Sequence, residues 1–257
     1  MSETIKYSVP AFEHGLDLME LLLGCSEPLS QKAIADRSGK PVSSVFRLLN
    51  CLEQRGYAQR DPRSGEYRPT LQLYSLAQLC PAHRRFRDLA ATPMAELAQS
   101  VGESCHLSIL DGGRVRVVYN QPSPHMHSLN ISETVTYSAV NTTAGKLLLA
   151  HLPSETRQGW LDNDSDYRAF RKSQRAAFDR QLRTLEENDE LVIASEPTPG
   201  VLDVDRLIPA AWMGNDAVLG TPCILKWSKK SQQSTLLPAV RKACQQIAAI
   251  FEKESHV

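Results

Sequence analysis

Residues 29–68 read LSQKAIADRSGKPVSSVFRLLNCLEQRGYAQRDPRSGEYR, and this stretch decides the fold of the amino-terminal part. Ser30 is placed to N-cap a helix by accepting one of its free N–H groups. Ala33, Ile34 and Ala35 supply a small apolar face, and Gly39 ends the helix where a left-handed residue is needed. After the turn Gly39-Lys40-Pro41, Ser43 or Ser44 is placed to cap a second helix. Its Val45, Leu48, Leu49 and Leu52 recur at helical spacing and face inward. Beyond Gly56, Tyr57 to Arg60 and Glu66 to Arg68 flank the turn Asp61-Pro62-Arg63-Ser64-Gly65, which predicts a hairpin.

Two helices on a tight turn followed by a basic hairpin form a winged helix-turn-helix. In that arrangement the second helix enters a major groove and the hairpin touches backbone beside it. The candidate DNA contacts are Ser30, Lys40, Pro41, Ser43, Ser44, Arg47 and Asn50, with Arg60, Arg63 and Arg68 from the hairpin. Hydroxyls and amides suit phosphates or base edges, and Arg47 suits a bidentate guanine contact. Charge agrees. Residues 37–68 hold seven cations against three anions, a net of +4, whereas residues 1–28 hold one lysine against five acids. Positive charge is thus focused on the reading face. The competing readings are a helical domain with ordinary solvated charges, or a winged helix that binds protein.

The chain of 257 residues is long enough for two modest domains, and 42% hydrophobic content suffices for real cores. With 29 basic and 29 acidic residues the formal charge is zero, which excludes a wholesale polyanion coat. No apolar run approaches the ~18 residues that cross a bilayer, and MSETIKYSVPAFEHG lacks a basic-then-apolar leader. A cytoplasmic location without membrane contact is expected. Cys25, Cys51, Cys80, Cys105, Cys223 and Cys244 are scattered without a CxxC pair, so their default role is that of small buried hydrophobes.

Leu16, Leu18, Met19, Leu21, Leu22 and Leu23 predict a first helix ending near Gly24. Residues 1–70 therefore make the DNA-binding domain. Residues 71–87 form a linker helix interrupted at Pro81, whose Leu71, Leu73, Tyr74, Leu76, Ala77 and Leu79 cover too wide an arc for a solvated linker. That surface predicts pairing with a second copy, as homodimer or tetramer.

Residues 88–257 form a second domain. A helix at 93–101 leads into strands at 104–110 and 114–119 around Asp111-Gly112-Gly113, and a further strand falls within 135–140. Thr142 to Ala150 opens a helix, and others follow near 154–161 and 167–188. Strands are expected at 191–194, 207–213 and 218–227, then a closing helix from Ser234. Helices flanking a mostly antiparallel sheet make this an α+β fold.

In this order, the chain resembles the IclR family of bacterial transcription regulators over nearly its whole length. The 29–68 stretch is similar to the family's winged helix, while GESCHLSILDGGRVRVVY and TTAGKLLLAHL are similar to its later strands and helix-opening segment. The chain departs from the family at Ala194-Ser195-Glu196, Gly200-Val201 and Pro222-Cys223-Ile224-Leu225, and the run Gly200–Arg206 holds a few extra residues. The resemblance implies a GAF-like α/β effector-binding domain whose pocket takes a small molecule, often a carboxylate or aromatic metabolite. Thr143 and Ala144 would offer backbone N–H groups at a helix start. Glu196, Arg206 and Cys223 fall near pocket-lining positions, and an inward Arg206 would favour an anion. Arg206 as a surface cation and Cys223 as core are the alternatives. His106 and Ser108 share a strand face that either lines the pocket or lies under a helix.

The implied function is DNA-binding regulation set by a small effector, an organic or aromatic acid. An enzyme is not expected: adjacent Cys105 and His106 point to opposite strand faces, and no phosphate loop, nucleophile elbow or HExxH helix occurs. No cofactor or structural metal is expected. The alternative is a redox- or metal-responsive regulator using Cys51 or the His125/His127 loop.

Overall fold

A computed structural model describes residues 9–79, 81–126, 128–133, 135–195, 198–212, 215–225 and 230–254. The chain divides into two compact units, Met1–Cys80 and Pro81–Val257. Among the described residues no helix is long and apolar enough to cross a membrane.

The first unit packs α1 (Pro10–Leu23), α2 (Gln31–Ser38) and α3 (Val42–Gln54) against the hairpin β1 (Ala58–Arg60) and β2 (Tyr67–Pro69). Ser30 Oγ accepts from the Ala33 N–H at 3.2 Å, and Gly39 closes α2 at φ +66°. The cap of α3 differs from expectation. Its N-cap is Pro41, in extended backbone, so Ser43 and Ser44 lie inside the first turn and no side chain caps it. Leu18, Ile34, Val45 and Leu49 are fully buried, together with Leu22, Leu29, Ala58 and Tyr67. Each large side chain there contributes about 1.5–3 kcal/mol of transfer free energy. Leu29 also exchanges backbone hydrogen bonds with Tyr67, adding a third rung beside the hairpin. The turn is held by Asp61 Oδ1, which accepts from the N–H groups of Arg63 and Ser64 at 2.8 and 2.9 Å.

The linker region departs from its expected layout. A short α4 (Gln72–Gln78) leaves Leu71, Tyr74, Leu76 and Leu79 exposed. Then α5 (Pro81–Val101) begins at Pro81 and runs through Pro93 as one helix. A proline at the first helical position loses nothing, because that N–H has no helical partner. Pro93 does cost one internal bond. The stripe Phe86, Ala90, Met94, Leu97 and Val101 is buried on both sides of it and outweighs that loss.

The second unit is built on a six-stranded antiparallel sheet of order β5-β4-β3-β8-β7-β6. Its strands are β3 (Cys105–Asp111), β4 (Arg114–Gln121), β5 (Thr136–Ser138), β6 (Glu190–Ala194), β7 (Val201–Trp212) and β8 (Asn215–Ile224). On one face α5 and α10 (Lys230–Glu254) cover Leu107, Val204, Ile208 and Leu219. On the other, α6 (Thr143–Ala150), α7 (Ser154–Asn163), α8 (Ser165–Ala169) and α9 (Lys172–Leu185) cover Val115, Leu207 and Val218. The helix expected over 167–188 is broken at Phe170, whose ring joins Tyr167 and Phe178 with centroids 5.7–5.8 Å apart.

Strand β7 starts at Val201, six residues before the expected Leu207. Successive side chains of a strand point to opposite faces. Leu202, Val204 and Ile208 therefore pack with the α5/α10 layer, while Asp203, Asp205 and Leu207 face the α6 side. The same parity sends Arg206 to the α10 side.

Candidate functional site

Two candidate sites stand out, one in each unit. In the first, α3 presents exposed Val42, Ser43, Phe46 and Arg47, with Ser44 and Asn50 half-buried beside them. The open first turn of α3 leaves N–H groups suited to an anion. Lys40 is drawn inward: its Nζ lies 3.1 Å from Asp17 Oδ2 and its side chain is only 14% exposed. Ser30 and Pro41 are exposed at the helix starts, with Ser30 Oγ committed to its cap.

The wing's three arginines differ in freedom. Arg60 Nε donates to the Gly65 carbonyl at 3.3 Å and its guanidinium lies over the Tyr67 ring. Arg68 donates to Gln59 Oε1. Arg63 sits exposed in the turn, and among the described residues no ion pair engages its guanidinium or that of Arg47. Phe46 was not among the sequence candidates. Its place on α3, off the inward spacing of Val45 and Leu49, is the signal that marks it as outward.

The second site is a cavity of about 450 Å³ between the sheet and the start of α6. His106 and Ser108 of β3, Asp203 and Asp205 of β7, and Thr143 and Ala144 of α6 line it. Val115, Val117, Leu129, Ile131 and Tyr137 form apolar walls. Gly220 is the register partner of both His106 and Asp205. A Cβ there would stand 2.5 Å from Asp205 Oδ1 and 2.8 Å from His106 Nε2, so the imidazole and the carboxyl meet over the glycine.

Electrostatics in this cavity follow from burial. It pushes the His106 imidazole down to about 4 and holds it neutral near pH 7. Burial first, and the charge of Asp203 second, raise the Asp205 carboxyl well above its usual range. His106 Nδ1 and Ser108 Oγ are buried without a hydrogen-bond partner. Thr143 Oγ1 donates to Asp203 Oδ2 at 3.0 Å, and Thr142 Oγ1 caps α6 by accepting from the Gly145 N–H.

The expected effector residues thus divide. His106, Ser108, Thr143 and Ala144 meet around the cavity. Arg206 and Cys223 do not, which corrects the expectation drawn from family position. Arg206 Nη1 donates to Glu190 Oε2 at 2.6 Å on the far face, where Glu190 also receives Arg241 of α10. Those hydrogen bonds, Arg241 first, hold the Glu190 carboxyl below its ordinary value. Cys223 is fully buried in the α5/α10 layer. Glu196 lies outside the described residues.

Asp203 and Asp205 were missed. The signal was the alternation in Val201-Leu202-Asp203-Val204-Asp205, a strand with one polar face. For the redox and metal alternatives, Cys51 is exposed on α3 and His125 is exposed, while His127 lies outside the described residues. Among the described residues no group of three or more His, Cys, Asp or Glu is arranged to hold a metal ion.

Family models match both units. One for the IclR helix-turn-helix domain covers residues 11–62, and one for the bacterial transcriptional regulator IclR C-terminal covers 82–197. The HTH-type transcriptional regulator TtgV of Pseudomonas putida is 28% identical over 215 residues, spanning 81% of this chain and 78% of TtgV. The uncharacterized HTH-type transcriptional regulator RhmR of Escherichia coli is 27% identical over 154 residues, which is 60% of this chain and only 58% of RhmR. Among solved structures, an IclR homolog from Microbacterium hydrocarbonoxydans complexed with 4-hydroxybenzoate superposes with a TM-score of 0.73. It is 17% identical and covers 95% of this chain and 99% of its own, a likeness of fold.

Proposed function

Because the chain belongs to the IclR family of bacterial transcriptional regulators, with a DNA-binding helix-turn-helix and an effector-binding carboxyl-terminal domain, we propose a specific division of labour. Helix α3 enters the major groove of an operator and the β1–β2 wing lies along the backbone. Arg47 reads a base edge, while Ser43, the open start of α3 and Arg63 hold phosphates. The observation that carries this reading is Arg47, exposed and without an ion pair among the described residues, on the same helix whose opposite face anchors the core through Val45 and Leu49.

A small molecule in the cavity of the second unit is the effector. It biases an equilibrium between states of different operator affinity by binding one of them better. The protein acts as a homodimer or tetramer, in keeping with the exposed apolar Leu71, Tyr74 and Leu79 next to the reading head. An acidic effector loses its main support once Arg206 faces away from the cavity.

The test is retention of the gene's own upstream promoter fragment by purified protein across a salt series. Specific retention whose affinity falls with rising salt is expected. No retention of that fragment at any ionic strength, with or without candidate effectors, sinks the proposal. Thiol-blocking reagents and chelators should leave retention intact, and its loss with either would favour Cys51 or the His125/His127 loop as the sensor.

A further inference from the structure

We infer that the cavity takes a small organic cation, a protonated amine on an apolar body, and discriminates against carboxylates. The inference rests on the cavity being the effector site and specifies the ligand's chemistry.

Asp203 and Asp205, two apart on β7, both face the cavity, and no lysine or arginine stands among its described lining residues. A carboxylate entering here would meet the Asp203 charge and a second acid whose ionisation it would oppose further, in a space with little water to screen them. A cation supplies a counter-charge that none of those lining residues provides.

The unpaired atoms point the same way. His106 and Ser108 are 7% and 1% exposed, line the cavity, and leave Nδ1 and Oγ without partners. A neutral imidazole with its proton on Nε2, the atom beside Gly220 on the Asp205 side, offers Nδ1 as an acceptor. Together with the Asp203 oxygens, and those of Asp205 once a cation lets it ionise, these acceptors call for a donor-rich group. An ammonium carries three donors and no acceptor.

The start of α6, which would favour an anion, already has one beside it. Thr143 is the first residue of α6, and its hydroxyl donates to Asp203. The protein's own carboxyl group therefore stands beside that helix start, where its charge opposes a ligand carboxylate. Gly220 keeps the floor between His106 and Asp205 open, and Val115, Val117, Leu129, Ile131 and Tyr137 are left for the apolar body.

Matched probe triads decide the matter, each an amine, an alcohol and a carboxylate on one skeleton: butylamine, butanol and butyrate; benzylamine, benzyl alcohol and benzoate; and the phenethyl set. With the full-length protein, thermal shift followed by titration calorimetry should show an amine binding at least tenfold tighter than both its partners. Asp205→Asn, which keeps the shape and cannot ionise to meet a bound cation, should bring the amine-to-alcohol ratio close to one. If that variant does not fold, Asp203→Asn, which is less buried, gives the same reading.

A carboxylate or alcohol that equals its amine overturns the inference, and so does an absence of amine binding across all skeletons. Promoter retention measured in parallel separates the two readings. A carboxylate that binds and alters retention removes the amine preference and keeps the regulator. Absent retention removes the regulator whatever fills the cavity.

Discussion

His106 and Asp205 face each other across Gly220, each the register partner of that glycine from a different neighbouring strand. The row β3–β8–β7 therefore places a neutral imidazole and a carboxyl of raised pKa side by side over a residue with no side chain. Both groups form the floor of the cavity, and neither is separated from it by another side chain of that row.

Gly220→Ala tests this arrangement directly. The added Cβ would stand 2.5 Å from Asp205 Oδ1 and 2.8 Å from two atoms of the His106 ring. Both side chains are buried, so relief requires shifts within a packed floor, at a cost of about 1–3 kcal/mol. Chemical denaturation of the second unit should show that loss, and calorimetry should show loss of cavity ligands. Wild-type stability in the variant would contradict the close approach.

The same two groups tilt stability with pH in opposite senses. For His106 the ordinary value is 6.5 and the folded one about 4. The unfolded chain takes up a proton that the native state refuses, so this contribution is present above 6.5 and lost as pH falls toward 4. For Asp205 the folded value lies well above the ordinary 3.8. The unfolded chain sheds a proton that the native state keeps, so stability falls as pH rises from 3.8 toward the raised value. Where the two ranges overlap, the slopes oppose each other. Asp205→Asn should therefore gain stability relative to wild type as pH rises from 3.8 toward the raised value, read by denaturation at successive pH values. A constant difference across that range would count against a raised Asp205.

The reading head was legible because its signals are local. Ser30 caps, Gly39 turns, and Val45 and Leu49 repeat at helical spacing, so each is decided by residues a few positions away. The pairing of Lys40 with Asp17 was not legible, since it joins α3's approach to a different helix. In the second unit the hairpin Cys105–Tyr119 and the start of α6 could be read. The segment Val201–Arg206 was harder for a physical reason. Its acidic face looks inward to a cavity, which inverts the usual rule of apolar inside, and family position then drew Arg206 toward a site that strand parity denies it.

On DNA the exposed arginines of α3 and the wing turn should behave differently. Arg47 lies on α3 and Arg63 at the wing turn, both exposed. Arg47→Ala should weaken specific operator binding by about 1–3 kcal/mol and leave random DNA nearly unchanged, as expected for a base contact. Arg63→Ala should weaken all sequences alike and lower the salt slope by about one. Competition titrations at several salt concentrations separate these outcomes. Equal losses on operator and random DNA for Arg47→Ala would move it to the backbone.

Arg206 provides the sharpest contrast between family position and strand geometry. Its guanidinium, 23% exposed, pairs with Glu190, which in turn holds Arg241 of α10. Arg206→Ala leaves Glu190 with one cation, so the expected cost is modest, about 1 kcal/mol for a partly screened pair. Glu190→Gln should cost more, because two guanidinium groups then lose their shared anion and repel each other. The Glu190 carboxyl is held below its ordinary 4.5, so its contribution is present above that pH and lost as pH falls through the lowered value. Urea denaturation near neutral pH should rank the two variants in that order, with ligand titrations unchanged for Arg206→Ala. Lost ligand binding at undiminished stability in that variant would place the guanidinium in the cavity and reverse the parity assigned to β7.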